Sequence, residues 1–278
     1  MELPETSTRI RHPANFRLLS VLLVSATLFK PRALEAEQIP VRYIEGTVHG
    51  FLVLRTQQGE TLAAGDLIQV VRGDRLISEL TFHFKDGSLD DEVTVFSQRD
   101  HFRLLSNHHV QKGASFPHPV DLSIDTSSSE VQVRSNENGK DKVQTEHLDL
   151  PPDLANGMIL TILKNIRPDA PETKLSYLAA TPKPRLVKLT ITPHGEDTLT
   201  TAGSPHKATH YVVKVELGGV AGVVAPIVGK QPQDTYVWIL GGKAPAFVKM
   251  EGPLYQGAPI WTIELTSPAW QQSQHSGD

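Results

Sequence analysis

Alternation of apolar and polar residues with period two, recurring from Ile39 onward, constrains this chain more than any other feature. In "RLISELTFHFKDGS", Leu76, Leu80, Phe82 and Phe84 share one side, and Ile77, Glu79, Thr81, His83 and Lys85 share the other. Val120, Leu122 and Ile124 alternate with Asp121, Ser123 and Asp125. The same rhythm returns at Val187–Ile191 and Tyr211–Leu217. Successive strand residues point to opposite faces, so this pattern specifies strands with one buried side. One apolar and one polar face is the pattern of antiparallel sheet. Asp-Gly, Asn-Gly and Gly-Gly pairs punctuate the runs and supply hairpin turns. About a dozen strands are expected, enough for a sheet to curl or close.

One segment follows a different period. In "LPPDLANGMILTILKNIRP", Leu154, Ala155, Met158, Ile159, Ile162, Leu163 and Ile166 recur at helical spacing. Pro151 and Pro152 suit a helix entrance, and Pro168 suits its stop. Asp153 at one end, with Lys164 and Arg167 at the other, complements the helix dipole. The reading is a helix over about 152–167 with a wide apolar stripe that must be buried. The fold expected is mainly β: a large curved antiparallel sheet, or partly closed barrel, wrapped around one amphipathic helix. About seven strands precede the helix and about six follow. One continuous sheet is the first reading, and two subdomains meeting at the helix is the second.

The N-terminal 36 residues have a different character. Arg9, Arg11 and Arg17 precede the apolar run "LLSVLLVSATLF", which is followed by Lys30, Arg32 and Ala36. Twelve apolar residues are too few to span a bilayer, which takes about 20, and fit a signal peptide. An uncleaved N-terminal anchor is the other reading, and membrane association is expected only through that segment. Residues 37–278 are then a single exported β-rich domain, periplasmic or associated with the outer envelope.

Composition removes several functions. The 278 residues contain no cysteine, and the formal net charge is -4. Thiolate chemistry, disulfides and most structural zinc sites are excluded. A mildly acidic chain without a basic block lacks what nucleic-acid phosphates require. G-x-S-x-G, H-E-x-x-H and G-x-G-x-x-G are absent, and the Gly-Lys pair of "GVVAPIVGKQ" lacks the P-loop spacing. No cofactor is expected.

The twelve histidines are the remaining lead, and three fall in "SNHHVQKGASFPHP". Strand periodicity sends His108 and His109 to opposite faces, and no i, i+2 His pair exists, so no metal site is expected. His118 lies between two prolines at a corner. If "SQRD" is a tight turn pairing Ser97 with Phe102, His108 opposes Asp91 on the apolar face, as a polar pair at the mouth of the core. The acidic run "DGSLDDE" departs from the EF-hand order and reads as a hairpin. The uncharged stretch Leu217–Gly229 reads as a small-residue core turn, a lid, or a lipid-touching loop, in that order. Tyr236 and Trp238 alternate with Val237 and Ile239, which marks an interior strand covered on both sides.

Taken together, the export signal, "TFHFKDG", "FPHPVD", the helix introduced by "LPPDL" and the strand "DTYVWIL" resemble the uncharacterised exported β-rich proteins of Gram-negative bacteria grouped as domains of unknown function. At the level of fold the pattern is also similar to the periplasmic lipoprotein carriers of the LolA and LolB type. That likeness implies an acyl ligand in the concavity of the sheet. Phe82, Phe84, Met158, Ile159, Ile162, Tyr211 and Trp238 would line it. Three functions follow in order of preference: binding or carrying an apolar ligand or lipid; a structural or protein-interaction role in the envelope; and a hydrolase with a non-standard site around Asp91 and His108. The first two involve no enzymatic activity.

Overall fold

The computed structural model describes, besides Met1, residues 38–137, 140–180, 183–201, 204–216 and 232–266. The N-terminal segment read as a signal peptide or anchor and the Leu217–Gly229 stretch lie outside these residues. The described strands are β1 (Val48–Thr56), β2 (Thr61–Arg72), β3 (Arg75–Phe84), β4 (Leu89–Gln98), β5 (Phe102–Lys112), β6 (Val120–Asp125), β7 (Glu130–Glu137) and β8 (Lys140–His147). After the helix α1 (Ile159–Asn165) come β9 (Thr173–Ala179), β10 (Arg185–Thr201), β11 (Ser204–Glu216), β12 (Thr235–Leu240), β13 (Ala246–Gly252) and β14 (Trp261–Thr266).

All fourteen strands belong to one antiparallel sheet in the order β8-β7-β6-β5-β4-β3-β2-β1-β14-β13-β12-β11-β10-β9. Each half is a meander in which sequence neighbours pair, so local hairpins build most of it. The exception is β1 with β14, where Phe51–Thr56 pair with residues 261–266. That single long-range ladder joins the two strand groups into one sheet.

The sheet does not close. Its two edges, β8 and β9, are consecutive in sequence and are joined by residues 148–172. That connection runs inside the curve. Leu154, Ala155, Met158, Ile162, Leu163 and Ile166 are all buried in one cluster with Leu54, Leu76, Phe82, Phe96, Leu122, Ile191 and Tyr211 from strands across the sheet. Each Leu, Ile, Met or Phe side chain among them is worth about 1.5–3 kcal/mol of burial, so the connection serves as the core's centre.

The helix is shorter than its apolar stripe. It spans seven residues rather than sixteen, with Met158 as N-cap and Ile166 already extended. Residues 153–157 serve the sheet edge instead. The Ser176 N–H donates to the Asp153 carbonyl at 3.3 Å, and the Ala155 N–H donates to the Ser176 carbonyl at 2.9 Å. The Asn156 carboxamide then imitates a strand: its Nδ2 donates to the Leu178 carbonyl at 3.0 Å, and its Oδ1 accepts the Leu178 N–H at 2.8 Å. Asp153 is no helix-dipole residue; its Oδ2 takes Lys188 Nζ at 2.9 Å. Gly157 has φ +66°, which ends this segment and starts the helix.

Gly157 is also pressed against β4 and β5. A Cβ there would lie 1.8 Å from Thr94 Oγ1 and 2.8 Å from Asn107 Nδ2. Gly157→Ala should therefore cost more than about 3 kcal/mol in urea unfolding, since it adds a clash to backbone strain. Gly59→Ala is the control: φ is +89° there, but the space is open. Equal losses at the two positions would show that close packing at Gly157 is not what matters.

Candidate functional site

The inner face of β4 and β5 carries an unusual run of polar residues. β4 turns Asp90, Glu92 and Thr94 inward, and β5 turns Asn107, His109 and Gln111 inward to meet them. His109 Nε2 lies 2.8 Å from Asp90 Oδ1. Gln111 Nε2 donates to Asp90 Oδ2 at 3.2 Å and to the Leu254 carbonyl at 3.1 Å. Asn107 Nδ2 donates to Glu92 Oε1 at 2.9 Å and to Thr94 Oγ1 at 3.0 Å. The Tyr177 hydroxyl of β9 feels both carboxylates.

Burial alone would lower the His109 pKa. The hydrogen bond to Asp90 and the charges of Glu92, Asp90 and Asp91 outweigh it and push the pKa up to about 9. His109 is therefore an imidazolium at neutral pH and holds no free lone pair for base catalysis. Burial, reinforced by Glu92 and Asp90, pushes the Tyr177 phenol up, so it stays neutral. The Thr94 hydroxyl oxygen accepts a bond from Asn107. The arrangement works as an ionic lock inside the sheet. Among the described residues, no group of three His, Cys, Asp or Glu is placed to hold a metal ion.

The expected polar pair, Asp91 with His108, does not form. The turn pairs Gln98 with Phe102, and a bulge after Phe96↔Leu104 inserts one extra residue before Val95↔Ser106. That bulge inverts the faces of β5. His108 opposes Val93 and points outward, where its Nε2 meets Asp121 at 3.1 Å. Asp91 accepts a hydrogen bond from Thr81 Oγ1 at 2.6 Å. The inward histidine is His109. Asp86 closes its hairpin by accepting from Ser88 N at 2.9 Å and from Ser115 Oγ at 2.8 Å. His118 is exposed.

Of the residues expected to line a cavity, Phe82, Phe84, Met158, Ile162 and Tyr211 are buried together, with Ile159 partly buried against them. The Tyr211 hydroxyl donates to the Ile166 carbonyl at 2.7 Å. Trp238 lies elsewhere. Tyr211 pairs with Val237, so Val237 and Ile239 face the core and Trp238 takes the other face. There it packs with Ala208 and Val248. The His210 ring stacks on it at 4.5 Å, Lys249 Nζ sits 4.9 Å from its ring centroid, and its Nε1 donates to Asp197 at 2.7 Å. Burial lowers the His210 pKa.

Among the described residues, the connection 154–166 occupies the concavity. A cleft of about 30 Å³ lies by Arg103 and Pro151, and another of about 90 Å³ lies beside Arg42 and Lys164. Pockets that enclose small-molecule ligands measure roughly 300–1,000 Å³.

No family model matches the chain, and no curated protein matches it significantly. Two solved structures are similar. One is a β-barrel-like protein of the domain of unknown function DUF1849 from Brucella abortus: TM-score 0.43, 8% identity, covering 81% of this chain and 98% of that one. The other is the hypothetical lipoprotein YmcC from Escherichia coli K12: TM-score 0.34, 10% identity, covering 80% of this chain and 85% of that one. The first is described as a domain of unknown function and the second as hypothetical.

The pKa of His109 has a thermodynamic consequence. Its folded value lies above the unfolded 6.5, so its contribution is fully present below about pH 6.5 and is lost as pH rises through about 9. Stability should fall by up to about 3 kcal/mol across that window. His109→Gln should flatten this part of the curve in denaturation series from pH 6 to pH 10. An unchanged slope would mean that another group is responsible.

Proposed function

We propose that this chain is an exported, non-enzymatic component of the cell envelope that acts by binding other proteins through its surface, and not by enclosing a lipid. The observation that carries this reading is the occupied concavity: the chain's own residues 154–166 take the place that an acyl chain would need. Export rests on the basic and apolar pattern of the first 36 residues. The surface best suited to a partner is the β8 edge. β9 is covered by residues 153–156, whereas β8 ends the ladder with no described strand beyond it. Residues 142–145 of β8 are exposed. Such an edge presents a row of backbone donors and acceptors to an added strand.

Two measurements test the reading. Native mass spectrometry of protein purified from its own host's envelope should give the mass of the polypeptide alone. A stoichiometric ligand of lipid size would restore the carrier reading. The second uses prolines at Val143 and Gln144, one of which directs its N–H away from β7. The outward-facing variant should keep its melting temperature and lose cross-linking to envelope proteins. Retained cross-linking would exclude β8 as the contact.

A further inference from the structure

The about 90 Å³ cleft lies at one rim of the sheet, between the end of α1 and the Leu240–Gly242 turn. Its floor is apolar, formed by Ile166, Ile239 and Leu240. Its lining includes two cations, Arg42 and Lys164, and no carboxylate. The two cations differ in how they are used. Lys164 Nζ is bonded to Glu45 Oε2 at 2.7 Å, and both side chains are largely buried, so its charge is matched. Arg42 has no carboxylate within ion-pair distance among the described residues. Its Nη1 donates to the Asn165 carbonyl at 3.3 Å, and its guanidinium lies 5.3 Å from the Tyr43 ring centroid. The acid in its neighbourhood, Asp169, is engaged twice by Arg167, at 2.8 and 2.7 Å.

Arg42 is also held in place. Asn165 Oδ1 accepts the N–H groups of both Arg42 and Tyr43, each at 2.8 Å. Asn165 Nδ2 in turn donates to the Thr161 carbonyl at 3.0 Å. One buried carboxamide thus fixes the backbone from which the guanidinium projects. Arginine carries five N–H donors in a planar fork, and one is used here. A fixed guanidinium that has no direct carboxylate contact among the described residues, and feels Asp169 only at longer range, is complementary, above an apolar floor, to an oxyanion carried on a short apolar body.

From this geometry we infer that the cleft binds amphiphilic anions, with a carboxylate or phosphate head on Arg42 and a short alkyl body on Ile166, Ile239 and Leu240. The head could belong to a free small molecule or to a lipid headgroup. The inference stands apart from the proposed function, since it concerns a rim of the sheet and neither its filled interior nor the β8 edge.

Titration of the full chain, followed by calorimetry or backbone amide shifts, tests it with butyrate, butyl phosphate, inorganic phosphate and n-butylammonium. Butyrate and butyl phosphate should bind, inorganic phosphate more weakly, and n-butylammonium not at all. Arg42→Gln should weaken binding about tenfold or more, the scale of one charge-assisted hydrogen bond. Arg42→Lys should retain part of it. Melting curves of both variants identify any loss due to unfolding, and Arg103→Gln, at the other cleft, should bind as wild type. Phosphatidylglycerol and phosphatidylcholine vesicles separate the two sources. Arg42-dependent binding to the anionic vesicles alone assigns the head to lipid, and binding to the soluble anions alone assigns it to free ligand. Equal affinity for n-butylammonium, wild-type affinity in Arg42→Gln, or no binding in either arm would overturn the inference.

Discussion

An open antiparallel sheet has to satisfy the backbone groups of two edge strands, and this molecule treats its edges differently. At β9 the task falls to a segment that is neither strand nor helix. Two backbone bonds around Ser176 and the paired bonds of Asn156 to Leu178 complete the ladder from inside. The helix position, the burial of Leu154 and Met158, and the contact of Gly157 with Thr94 all follow from where that segment is pinned. A buried carboxamide that satisfies both its donor and its acceptor adds orientation as well as energy, because a rotated side chain would leave four polar groups unmet.

The same device recurs at the rim. Gln98 holds the N-terminal approach by accepting the Glu45 N–H at 2.8 Å and donating to the Glu45 carbonyl at 3.0 Å. Asn165 does the same work for residues 42 and 43. Side-chain amides thus stand in for missing strands at three places. The charged residues inside follow another rule. Asp90, Glu92 and His109 are tolerated because each is hydrogen-bonded, and the pairing of opposite charges across β4 and β5 favours one register over a slipped one.

Period two made most of the strands legible: Leu76, Phe82 and Phe84 are inward as their alternation requires, and so are Leu122 and Ile124. The helix was legible in type but not in extent. Leu154 and Ala155 fit the helical stripe equally well in an extended segment, and only the Asn156-Gly157 pair hints at a break. His108 and His109 exchanged roles because one bulged residue inverts everything that follows, and nothing in "RLLSNHH" announces the bulge. Trp238 was assigned to the core because both faces of its strand are apolar. The choice between faces came from pairing with β11, which is long-range information.

The ladder between β1 and β14 does more than merge two meanders. It brings Phe51, near the start of β1, opposite Thr266, the last residue of β14. The first and last strands therefore enter and leave at the same rim, the one crossed by residues 38–45 and bearing the Arg42 cleft. The aromatic cluster of Phe84, Phe116, Tyr255 and Trp261 packs around the opposite rim, by the β3–β4 turn and the start of β14. The domain is polarised along its strands: one end gathers the start of β1 and the end of β14, and the other is packed with aromatic rings. A short peptide between the end of β14 and the start of β1 would join those two strands without crossing the sheet. The meander could then be opened at a hairpin of the aromatic end with every pairing intact.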